Sequence, residues 1–88
     1  MTRTELSSWL SAHGWSEDLY GHYRKTVTDP RTGRELTFRV LLQEKTARIE
    51  RNLGSTWIKV RSEFYRNIST EAEMLLLAGN PIPVLLTM

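Results

Sequence analysis

The segment Asp29-Pro30-Arg31-Thr32-Gly33 restricts the fold of this chain more than any other. Proline presets φ, aspartate bonds back to the backbone, and glycine accepts a positive φ, so these residues encode a chain reversal. On either side, residues 20–28 and 34–43 alternate apolar and polar side chains, which predicts two antiparallel strands. With Pro30 to Gly33 as the loop, Asp29 faces Arg34, Val27 pairs with Leu36, and Tyr23 with Val40.

The pairing extends along the chain. Glu44-Lys45 as a turn sets Leu42 beside Ala47 and Val40 beside Ile49. Leu53-Gly54, within Asn52 to Ser55, sets Ile49 beside Ile58 and Ala47 beside Val60. One face of the resulting four-stranded antiparallel meander, residues 20–66, collects Tyr23, Val27, Leu36, Phe38, Val40, Leu42, Ala47, Ile49, Ile58, Val60 and Phe64. Each turn is placed by its own residues, and the apolar sets still fall on one side, as a register fixed by burial requires.

Helices are predicted at both ends. Thr2-x-x-Glu5 reads as a capping box, Leu6, Trp9 and Leu10 form a stripe at helical spacing, and Gly14 closes an N-terminal helix over 1–14. Trp15 to Leu19 adds a short turn capped by Ser16. Thr70-x-x-Glu73 opens a second helix over 69–79 that is apolar nearly all round, ended by Gly79 and Pro81. Residues 80–88 follow as an extended apolar tail. The fold class expected is α+β: a two-layer sandwich with the sheet's apolar face under both helices. All 88 residues read as a single domain.

Composition narrows the chemistry. Hydrophobic residues make up 40%, enough to offset the entropy of ordering so short a chain. The absence of cysteine removes disulfide, thiolate and cysteine–metal chemistry. No secretory signal and no membrane-length apolar run is visible, so a cytoplasmic location is expected. A formal charge of +2 permits an anionic partner without demanding one.

Three surfaces are candidates for function. The polar sheet face carries His22, Arg24, Arg39, Leu41, Arg48, Trp57, Lys59, Arg61 and Tyr65. Cations interleaved with aromatics suit phosphate contact and base stacking, which makes Arg24, Arg39, Arg48, Trp57, Lys59 and Arg61 the candidate binding residues. A merely solvated face gives the same pattern, with Glu35, Glu50 and Glu63 pairing across strands. His22, beside Arg24, is the one candidate general acid or base. His13 suits the negative end of the first helix, and the two histidines lack metal-ligand spacing, so no metal or cofactor is expected. The apolar end, through Leu76, Leu77, Ile82, Val84 and Leu85, is the candidate contact of a homo-oligomer.

Two family resemblances follow. Helix, antiparallel strands and helix is similar to the element order of double-stranded-RNA-binding domains. Those open the second helix with lysines, whereas Ser69-Thr70-Glu71-Ala72-Glu73 is acidic here. Ala12-His13-Gly14-Trp15, Gly21-His22-Tyr23, and Thr32-Gly33-Arg34 with Leu36-Thr37-Phe38 resemble the HicA-type RNA-cleaving toxins, a likeness over fewer than half the residues that implies a catalytic His22. The long hairpin through Trp57 departs from that pattern. The residues themselves favour a non-enzymatic module whose basic sheet face meets an anionic partner such as nucleic acid. The alternatives are a homo-oligomeric interaction protein and a small ribonuclease.

Overall fold

The structure is a computed structural model and describes residues 1–29 and 32–69. The second helix, the tail and the oligomer contacts Leu76, Leu77, Ile82, Val84 and Leu85 lie outside the described residues. Helix α1 spans Arg3–Ala12 and is followed by β1 (Ser16–Glu17), β2 (Tyr23–Thr28), β3 (Glu35–Leu42), β4 (Thr46–Leu53), β5 (Thr56–Phe64) and a 3₁₀ turn, Tyr65–Asn67. The strands form one antiparallel sheet in the order β1-β2-β3-β4-β5.

Local chemistry sets the helix ends. The Thr2 hydroxyl accepts from the Glu5 N–H at 3.1 Å, and the Thr2 N–H donates to Glu5 Oε1 at 2.8 Å, so the capping box forms. At the other end the His13 N–H donates to the Trp9 and Leu10 carbonyls. The His13 ring stacks on Trp9 with centroids 4.0 Å apart, and its Nδ1 donates to the Trp9 carbonyl. His13 thus terminates the helix.

The turns place the strands. Asp29 N–H donates to the Arg34 carbonyl and Gly33 N–H to the Asp29 carbonyl, with Gly33 at φ +73°. Tyr23 pairs with Val40 and Val27 with Leu36, then Leu42 with Ala47 and Val40 with Ile49, as the sequence predicts. The inward side chains Tyr23, Val27, Leu36, Phe38, Val40, Ala47 and Ile49 share one core with Leu6 and Leu10 of α1 and with Trp15, Tyr65 and Ile68. The molecule is a small α+β fold, with the helix against one sheet face.

Three expectations need correction. The first concerns 15–19, which makes no helical turn. Ser16 and Glu17 pair with Arg24 and Tyr23, adding a fifth strand to the expected four. A neighbouring strand satisfies these backbone groups, whereas an isolated helical turn is costly to nucleate. The second concerns the β4–β5 register. The loop is Gly54-Ser55, so Arg51 rather than Ile49 lies beside Ile58.

The third follows from a bulge. Glu50 pairs with Lys59 but Ile49 with Arg61, leaving Val60 as an extra residue in β5. Beyond Val60 the side chains exchange faces. Arg61 and Glu63 share the face of Ile49 and Ala47, and Phe64 is exposed rather than in the apolar layer. Tyr65 does not face outward either. It is buried in the 3₁₀ turn and its hydroxyl donates to the Gln43 carbonyl.

Candidate functional site

One rung of the sheet crosses four strands on the face away from α1. Arg24 pairs with Arg39, Arg39 with Glu50, and Glu50 with Lys59. Side chains at directly paired positions share a face, so Arg24, Arg39 and Lys59 lie on the same side of the sheet as the Glu50 carboxylate. Glu50 is only 5% exposed. A buried charge needs partners, and Glu50 has two. Arg39 Nε donates to its Oε1 at 2.6 Å, and Arg48 Nε forms an ion pair with its Oε2 at 2.8 Å. The carboxylate therefore fixes two guanidinium groups on this face.

Trp57 completes the cluster. The Arg39 guanidinium lies 4.2 Å from the centre of its ring and that of Arg24 5.3 Å away, both within cation–π range. The indole is half-buried beneath these arginines rather than fully exposed as its outward register suggests. Beside this cluster the Thr26 and Thr37 hydroxyls are hydrogen-bonded at 3.0 Å.

The structure thus brings together Arg24, Arg39, Arg48, Trp57 and Lys59. Arg61 is excluded from them by the bulge and instead donates to Glu63 at 3.3 Å on the other side of β5. Hydrogen bonds from Asn67, Arg61 and the Phe64 N–H hold the Glu63 carboxyl below its ordinary range.

The other candidate, His22, sits in the loop joining β1 to β2, which is organised by Asp18. Asp18 Oδ1 accepts from the Tyr20 and His22 N–H groups at 2.9 and 3.0 Å, and Oδ2 accepts from Arg24 Nε at 3.1 Å. Burial pushes this carboxyl up. The two backbone N–H groups, attraction to His22 and the Arg24 bond outweigh it and hold Asp18 below its ordinary value. The sign follows. A carboxyl lowered by folding contributes stability above its unfolded pKa, and that contribution is lost as pH falls through the folded value. Asp18→Asn is therefore expected to flatten the acid limb of a stability–pH curve below about pH 4 while leaving stability above pH 6 reduced by a constant amount. Urea unfolding at stepped pH measures both limbs, and parallel curves for the two proteins down to pH 2 would contradict the assignment.

Sequence reasoning placed Glu50 outward but missed that it is the buried anchor of the face. The signal available was Arg39, Arg48 and Glu50 on adjacent predicted strands with one parity. Asp18 falls in the stretch expected to make a short helical turn, and its role as loop organiser had no signal in the sequence. Among the described residues no group of three or more His, Asp or Glu side chains could hold a metal ion, and no helix is long and apolar enough to cross a membrane. No protein-family model, curated protein or solved structure matches this chain.

Proposed function

We propose that this protein is a non-enzymatic module that binds single-stranded nucleic acid on the sheet face opposite α1. The observation that carries the reading is the stack of Arg24 and Arg39 on Trp57, with Glu50 holding Arg39 in place. Single strands are held by cations that track phosphates and by flat groups on which bases stack, and guanidinium planes serve as well as aromatic rings. Arg24, Arg48 and Lys59 supply the charge, and the Arg39–Trp57 pair supplies a flat surface. Holding these groups in place before the ligand arrives reduces the ordering cost of binding.

Salt dependence tests this reading. Three cations, each meeting one phosphate, give a slope of log affinity against log salt of about −2 for a single strand. Arg24→Ala and Lys59→Ala should each reduce the slope by about 0.7 and weaken binding of a mixed-sequence oligonucleotide. Tryptophan fluorescence reports binding, and the change should be absent in Trp57→Phe. Binding that is undetectable at low salt, or independent of salt, would remove the proposal.

A further inference from the structure

An open depression of about 630 Å³ lies between the first half of α1, the β1–β2 loop and the end of β3, and its lining includes Arg3, Ser7, Glu17, Tyr20, His22 and Gln43. Its volume falls in the ordinary range for small-ligand sites. The loop side is firmly built. Asp18 accepts from the backbone N–H groups of both Tyr20 and His22, and Gly21 turns the chain at φ +77°. A Cβ placed at Gly21 would stand 3.9 Å from Glu17 Oε2, so the carboxylate lies beside this turn of the loop. The Tyr20 ring is 80% exposed and stands 6.3 Å from that of His22, inclined at 35°. An exposed tyrosine ring on a braced loop is free to meet a flat ligand.

We infer that this depression takes one guanine nucleotide unit, a reading that rests on the proposed function only for the class of ligand. Four side chains supply the recognition. Tyr20 offers a stacking surface to a base. Glu17 offers two acceptor oxygens side by side. Guanine alone among the bases presents two adjacent donors, N1–H and the 2-amino group, to such a pair. Adenine and cytosine place a ring-nitrogen acceptor beside their amino group, and uracil flanks its one N–H with two carbonyls. The Glu17 carboxylate therefore accepts both guanine hydrogen bonds and repels the corresponding edges of the other bases. Arg3 and His22 give nitrogen donors for the phosphate, and Arg3 comes from the helix, a different element from the one carrying Glu17. The loop that carries Tyr20 and His22 is tied to the cationic face at one point, where Asp18 Oδ2 accepts from Arg24 Nε at 3.1 Å.

The experiment titrates the protein with guanosine 5′-monophosphate and, separately, adenosine 5′-monophosphate, following Tyr20, His22 and Trp57 ring signals by NMR. Saturable shifts of Tyr20 and His22 are expected with the guanine nucleotide, and about tenfold weaker binding with the adenine nucleotide. Glu17→Gln should abolish that difference, and Tyr20→Ala, a change at an exposed side chain, should weaken both nucleotides. Equal affinity of the wild-type protein for the two nucleotides overturns the guanine assignment. Absence of saturable shifts up to millimolar concentration, or shifts at Trp57 alone, overturns the site. A protein that binds the guanine nucleotide here yet shows no salt-dependent oligonucleotide binding at Trp57 retains this site and loses the sheet-face reading.

Discussion

Phe38→Ala is expected to cost about 3–5 kcal/mol of folding free energy, enough to raise the unfolded fraction at room temperature by a factor of about 10² to 10³. Phe38 is completely buried at the middle of β3, the central strand, between Lys25 and Arg51. Truncation removes transfer free energy and also leaves a cavity, because strands paired on both sides cannot close in. A domain of this size has only about 5–10 kcal/mol in total, so one such loss takes about half of its margin. Urea denaturation followed by circular dichroism measures it. Phe38→Leu, which keeps much of the volume, should lose far less. A drop under about 1 kcal/mol for the alanine variant would mean that the core does not centre on this residue.

The second large effect is expected at Glu50. Glu50→Gln keeps the shape but removes the charge between Arg39 and Arg48, whose side chains are 19% and 36% exposed. Breaking a fully buried pair costs about 3–5 kcal/mol because the stranded charge has no counter-ion. The partial exposure of Arg48 lets water recover some of that, so the loss should be about 2–3 kcal/mol. Combining it with Arg39→Met should restore part of the stability, since the more buried of the two stranded guanidinium groups is then removed and only the more exposed Arg48 is left. Strict additivity of the two changes would show that the pair does not act as a unit. The same variant should weaken oligonucleotide binding at low salt even though it makes the face more positive, because Arg39 is no longer held over Trp57.

The sheet was legible in the sequence wherever a turn announced itself. Asp29 and Gly33 fixed the β2–β3 register, and Glu44-Lys45 the next, because each turn has one geometry that suits its residues. At β4–β5 glycine marked a turn without saying which side of it the second loop residue lay. Leu53 forms part of β4, and Ser55 takes the loop. The bulge at Val60 has no local signal, because Ile58, Val60 and Ser62 alternate with Lys59, Arg61 and Glu63 as regularly as in an unbroken strand. Only the core decides, by accepting Val60 at its margin. β1 is two residues long and too short to show a period. The cationic face was legible in membership except for Arg61. Its geometry was not, since a parity argument says which side chains share a face and nothing about which carboxylate becomes buried among them.

The irregularity in β5 has one more consequence. Among the described residues the sheet ends at β1 and β5, and β5, with nine residues, is the longest strand. A long straight border strand invites a second molecule to add its own strand and start an aggregate. The extra residue at Val60 breaks the regular spacing of hydrogen-bonding groups that such addition needs, and Lys59, Arg61 and Glu63 beside it bring charge. The kink that spoils the predicted register thereby also makes β5 a poorer template for strand addition than a straight border strand.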